Sequence, residues 1–215
     1  ELSEEEQLVI LGKVKGTVDI STFEDDMVNK TLGSNYAIKT IQENNGERGA
    51  NRYIISNNQM ASNVMETFAM FNLCGFDHQI TADIIPLFET INDLTNAKGV
   101  MRQLYTNPEY MKHLTERGNK QTIMLGFSDG TKDGGYLMAN WAIYKAKQEL
   151  TSISREFGIK VIFFDGRGGP PARGGGKTHQ FYASLGPTIE NEEIQLTVQG
   201  QTISSNFGTK DSAQY

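Results

Sequence analysis

Cysteine is nearly absent from the chain. The single one is Cys74, so no internal disulfide can form and a reducing compartment is expected. The neighbours Phe71, Leu73 and Phe76 mark that thiol as a small buried side chain rather than a nucleophile. Positive charge is also short. Twenty Lys and Arg against 26 Asp and Glu leave a net charge of -6, which argues against nucleic acid or an anionic membrane surface as the main partner. No apolar run approaches the length of a bilayer span, and the acidic opening ELSEEEQ is unlike a secretory signal, so a cytoplasmic protein is expected. The three histidines lack metal-ligand spacing: His78 and His113 read as surface residues, and His179 either opens a helix or faces an anion.

The common phosphate loops are missing too. Gly176, Lys177 and Thr178 look like the tail of a P-loop, but Pro171 stands where its first glycine belongs. A dinucleotide fingerprint begun at Gly166 and Gly168 fails at the same proline. What is present is FFDGRGGPPARGGG, Phe163 to Gly176, where six glycines bracket Arg167 and Arg173 just after an apolar run. Arg offers a planar fork of donors, and glycine lets an anion approach the main-chain N–H groups without a Cβ in the way. The stretch therefore reads as a site for a phosphorylated ligand, with a solvated glycine-rich turn as the plain alternative.

Length allows one domain with a sizeable core. Ser3 and Glu6 form a capping-box pattern that opens a short helix, Thr17 to Lys39 has no clear pattern, and Glu43 to Asn51 reads as a loop. From Tyr53 onward strand and helix patterns alternate, the sign of parallel βα units. Strands are expected over Tyr53–Ser56, Thr81–Phe88 (ended by Pro86), Gln121–Phe127, Ile159–Phe164 and Ile194–Val198. Helices are expected over Ala61–Leu73, Asn92–Tyr105, Tyr110–Glu116, Tyr136–Phe157 and Gln180–Leu185. In the fourth of these, Leu137, Trp141 and Tyr144 form one stripe, and SDGTKDGG before it reads as a loop. The chain thus divides into a helical and loop entry segment, residues 1–52, and a set of βα units, residues 53–215.

Polar residues fall where the strands end. Glu89 follows the second strand, Asp129 and Lys132 the third, Arg167 and Arg173 the fourth. In parallel α/β architectures, barrel or open sheet, these carboxyl ends share one face. Two carboxylates there suit Mg²⁺, which keeps waters and takes ligand oxygens for its remaining positions. Charges placed in loops by chance would give part of the same pattern. As an acid and base pair the carboxylates would suit glycoside cleavage, but three cations beside them favour a strongly anionic ligand. Lys132 could neutralise a phosphoryl group or be an ordinary loop lysine.

These residues carry a resemblance. PLFETINDL from Pro86, MLGFSDGTKDGG from Met124 and GRGGPPARGGG from Gly166 are similar to three segments of the phosphoenolpyruvate carboxylase family, in that family's order. YIISNNQMASNV from Tyr53 and LTVQGQTISSNFG from Leu196 add weaker matches, so the likeness runs from about Tyr53 to the C-terminus. It implies an α/β fold that is part of a (β/α)8 barrel. It also implies a Mg²⁺- or Mn²⁺-dependent carboxy-lyase that makes oxaloacetate and phosphate from phosphoenolpyruvate and bicarbonate, in a homo-oligomer. Carried over by motif, Glu89 and Asp129 match metal ligands and Lys132 matches the active-site lysine. Arg167 and Arg173, with Gly168 and Gly169, match the part that holds phosphate and the carboxyphosphate intermediate, and Leu87 and Met124 match walls of a CO2 pocket.

There are departures. The family usually has histidine before GRGG, and here Asp165 takes that place, with orientation of Arg167 as its expected role. Pro170 and Pro171 should stiffen the stretch between the arginines. The family's N-terminal histidine motif and further arginine sites lie outside these residues, and the chain opens without methionine, so a piece of a longer protein, inactive alone, is expected. The alternatives are a phosphate- or carboxylate-binding module without chemistry, another metal-dependent barrel acting on phosphoenolpyruvate or pyruvate, and a degenerate or regulatory copy.

Overall fold

The computed structural model describes residues 2–166, 177–197, 203 and 207–214. Five parallel strands, β1 (Arg52–Ile55), β2 (Asp83–Phe88), β3 (Lys120–Leu125), β4 (Lys160–Asp165) and β5 (Ile194–Leu196), lie side by side in chain order. Each strand neighbours its predecessor, so the winding never reverses as it would in a doubly wound sheet. The expected α/β class with parallel strands stands. Among the described residues the sheet stays open from β1 to β5, so closure into a barrel is not seen.

The helices are α1 (Glu4–Gly12), α2 (Asp26–Asn45), α3 (Ala61–Leu73), α4 (Ile91–Thr106), α5 (Pro108–Glu116), α6 (Ser128–Glu156), α7 (Thr178–Ala183) and α8 (Lys210–Gln214). Their starts follow local chemistry. Ser3 and Glu6 close the expected capping box on α1, Thr90 and Asp93 do the same for α4, and Asn107 caps α5 ahead of Pro108. The stretch with no clear pattern, Thr17 to Lys39, contains most of α2, a 20-residue helix capped by Asp25. That helix also takes in the start of the expected loop at Glu43.

Alternation along the strands sorts the side chains into two sets. Ile84, Phe88, Ile123, Leu125, Val161 and Phe163 join the helix-side core with Val64, Phe68 and Phe71 of α3 and Leu94, Val100, Met101 and Leu104 of α4. Each such buried side chain contributes about 1.5–3 kcal/mol. On the other face Leu87, Met124 and Phe164 stand in register across β2, β3 and β4, and all three are only half-buried.

Four expectations are corrected. Pro86 lies inside β2 rather than ending it, because it sits opposite Ile55, the last residue of β1, where the ladder with that neighbour stops. SDGTKDGG is helical, not a loop: α6 begins at Ser128 and is broken only at Gly135, whose φ of 77° marks a kink. The stripe of Leu137 and Trp141 faces outward, 82% and 57% exposed, while Ala139, Ala142, Ala146, Leu150 and Ile153 form the buried face. Small alanines let α6 come close to α4, and Arg102 seals that contact with two 2.8 Å bonds to Glu156. His113 is buried, not on the surface: it packs beside Phe68 and Tyr110, and His78 is half-buried. Cys74 is buried as expected, and burial pushes its thiol up to about 11.

Candidate functional site

The carboxyl ends of β2 and β3 meet around a cavity of about 210 Å³. Its lining includes Glu89 and Asp129 as polar groups, Leu87 and Met124 as apolar ones, and the backbone of Gly126 and Gly166. The structure therefore brings together four of the residues singled out from sequence. Lys132 is next to them, exposed, with its Nζ 2.9 Å from an Asp129 oxygen. Arg167 and Arg173, with Gly168 and Gly169, lie outside the described residues.

Local chemistry sets each carboxylate. Glu89 is the first residue past β2, and its N–H points at the Asp93 carboxylate that also caps the Thr90 N–H of α4. Its own Oε1 accepts the N–H of Asn57 at 3.2 Å. Asn57 has a φ of 52°, a left-handed conformation that asparagine tolerates better than most residues. That turn after β1 aims a donor at Glu89. Gly126 brings β3 alongside: its N–H donates to the Phe88 carbonyl at 2.8 Å, and a Cβ there would fall 3.0 Å from Glu89 Cα. Only glycine permits that approach.

Asp129 stands in the first turn of α6, where the helix N-terminus favours a negative charge. Asp133, one turn on, accepts the N–H of Ile91 at 3.2 Å and so ties the start of α6 to the start of α4. Helical geometry explains the Lys132–Asp129 pair, which is spaced i,i+3. An exposed pair of this kind contributes about 0–1 kcal/mol, so the lysine can turn to an anion at little cost.

The donor set fits a hard divalent cation. Two half-exposed carboxylates share a small polar-lipped cavity, and Mg²⁺ takes one or two carboxylates with water and ligand oxygens completing its shell. Among the described residues no group of three or more His, Cys, Asp or Glu gathers anywhere, so at this rim the pair Glu89 and Asp129 would leave most of the shell to water and ligand oxygens.

Sequence reasoning missed Asn57, Asp93 and Asp133, which hold this rim through Glu89 and Ile91, and Phe164, which stands in register beside Met124. Thr90 and Asp93 carried a readable signal, a hydroxyl residue followed three positions later by an acid. Asn57 and Asp133 carried none, since their partners lie 32 and 42 residues away. His179 is exposed near the start of α7. No helix among the described residues is long and apolar enough to cross a membrane.

A family model described as phosphoenolpyruvate carboxylase matches residues 1–215, the whole chain, and the chain therefore belongs to that family.

Proposed function

We propose, from that membership and from the cavity at the ends of β2 and β3, that the intact protein forms oxaloacetate and phosphate from phosphoenolpyruvate and bicarbonate, within a barrel that the five-stranded sheet helps to build. Glu89 and Asp129 would hold Mg²⁺ or Mn²⁺, which supplies positive charge where the enolate oxygen becomes negative. Bicarbonate attacks the phosphorus, the enolate leaves, and the resulting carboxyphosphate yields CO2 and phosphate; the enolate carbon then bonds to CO2.

The chain's own residues have separable tasks. Lys132 leaves Asp129 to meet the phosphoryl oxygens, and Arg167 and Arg173 take the remaining phosphoryl and carboxyphosphate charge as planar forks. Leu87, Met124 and Phe164, one registered row on the face away from the helices, wall the space in which CO2 is held and keep water from protonating the enolate. Asn57 and Asp93 hold Glu89 in place through its carboxylate and its N–H.

The observation that carries this reading is that the acidic pair and the apolar pair, chosen from two separate sequence motifs, line one cavity. The test is oxaloacetate formation by the intact protein with phosphoenolpyruvate, bicarbonate and Mg²⁺, alongside Arg173→Ala. Product in the wild type that is lost in the variant supports the assignment. Mg²⁺-dependent binding of phosphoenolpyruvate with no oxaloacetate would make the protein a binding module instead.

A further inference from the structure

The carboxylate that ends β4 is engaged quite differently from those after β2 and β3. Asp165 is 6% exposed, and its Oδ2 accepts both from Lys147 Nζ at 2.7 Å and from the Tyr182 hydroxyl at 2.5 Å. Lys147 is 2% exposed, and its ammonium also lies 5.4 Å from the ring centres of Phe163 and Tyr182. Burial, and then the Asp165 charge, push the Tyr182 hydroxyl well above the usual range, so it remains a donor. Apolar walls adjoin the group, among them Leu125, Phe127 and Leu185 around a cavity of about 220 Å³. In such surroundings a matched charge pair is strong and an unmatched one is very unfavourable.

The three residues come from places in the chain that give the cluster a meaning. Asp165 stands two residues before Arg167, Tyr182 lies in the first helix after Gly176, and Lys147 is in α6, the helix that opens with Asp129 and Lys132. The end of β4 and the short helix α7 are thus bonded to each other and to the part of α6 that follows its break at Gly135, past the turn that carries Asp129 and Lys132.

We infer that Lys147, Asp165 and Tyr182 are positioning residues, a buried clamp that fixes the end of β4 and the short helix α7 against α6, and so holds both ends of the sequence that carries Arg167 and Arg173. The sequence between these two ends carries Arg167 and Arg173, and holding the ends lowers the entropy given up when those arginines meet an anion. Asp165 acts through the backbone it anchors, because its Oδ2 is committed to Lys147 and Tyr182. The kinetic consequence rests on the carboxylase reading; the clamp itself does not.

The test uses Tyr182→Phe in the intact protein, with Tyr105→Phe as the control. Tyr105 is also buried, and its hydroxyl pairs with Ser154 at 3.0 Å between α4 and α6, away from both of those ends. Trypsin cleavage after Arg167 and Arg173 under native conditions, and the steady-state kinetics of oxaloacetate formation, are measured together. Tyr182→Phe is expected to speed cleavage about fivefold and to raise KM for phosphoenolpyruvate about as much, with kcat changed less, as loss of one hydrogen bond implies. Tyr105→Phe lowers the thermal midpoint and moves neither readout. Because Lys147→Met alone leaves a buried carboxylate without its counter-charge and can fail to fold, it is paired with Asp165→Asn, and this neutral double variant should show the same faster cleavage. Unchanged cleavage in Tyr182→Phe and in the double variant overturns the clamp. A wild type that forms no oxaloacetate removes the carboxylase reading, while the cleavage comparison still decides the clamp.

Discussion

The two ends of the sheet use the same kinds of residue to opposite effect. At the amino ends of the strands the charges are matched to one another. Arg117 bonds Asp83 and Glu47 at 2.7 Å each, Lys160 meets Glu192 at 2.8 Å, and Lys120 meets Glu193 at 3.5 Å. At the carboxyl ends Glu89 receives one backbone N–H, and Asp129 is paired only to an exposed lysine, among the described residues. Charges that answer each other hold elements together, and charges left facing a cavity are available to a ligand. The same division between a stability face and a chemistry face is general in parallel α/β architectures.

The hardest test of this contrast removes a carboxylate from the chemistry end. Glu89→Gln and Asp129→Asn keep size and shape, so each should lower kcat of the intact protein by about 10²–10³-fold or more while the thermal midpoint hardly moves. Assays across a Mg²⁺ titration read the effect. A variant with near-normal turnover at any Mg²⁺ concentration would contradict the role given to that residue.

Asp165 marks the boundary of the contrast, since it lies at the chemistry end but is matched like a charge at the other. Lys147→Met alone leaves its carboxylate buried without a counter-charge, with only the Tyr182 hydroxyl still donating to it, and the expected loss is about 3–5 kcal/mol in urea unfolding. A loss below about 1 kcal/mol, the range of surface pairs, would mean that water reaches Asp165.

Much of the architecture was legible because periodicity is local. The apolar spacing of Val64, Phe68 and Phe71, and of Leu94, Val100, Met101 and Leu104, identified both helices and their buried faces. The stripe on α6 misled because its large side chains face outward, and the packing is done by alanines that carry little hydrophobic signal. The glycines of SDGTKDGG favoured a loop by propensity, yet Gly130 is buried, with Glu89 O and Ala139 Cβ at 3.5 and 3.7 Å from where its Cβ would be. Tertiary contact overrode propensity there. For the candidate site, Glu89, Asp129, Leu87 and Met124 were readable from strand ends and motifs. Partners that are distant in sequence, Asn57 on Glu89 or Lys147 on Asp165, could not be read from spacing at all.

The stability end has its own pH signature through His113. Burial, with the nearby Arg117 charge, holds its imidazole down at about 4, against 6.5 in an unfolded chain. Above pH 6.5 neither state binds the proton, and the stability of the neutral buried ring is fully present. Between 6.5 and 4 the unfolded chain takes up a proton that the native one refuses, so stability falls as pH falls, by about 3 kcal/mol in all. Urea midpoints measured across that window should drop in the wild type and drop less in His113→Gln.

The smallest effect expected is the cleanest separation of the two ends. Arg117 bridges α5 to Asp83 at the start of β2 and to Glu47 before β1, so Arg117→Ala removes two charge-assisted bonds and leaves Asp83 half-buried without its partner. The expected loss is about 2 kcal/mol. Because these bonds sit at the amino ends of the strands, kcat and KM for phosphoenolpyruvate should stay within about twofold of the wild type at temperatures where both are folded, an energy difference of about 0.4 kcal/mol. A large change in KM with intact stability would mean that strain at one end of the sheet reaches the carboxylates at the other, and the contrast between a matched end and an available end would have to be given up.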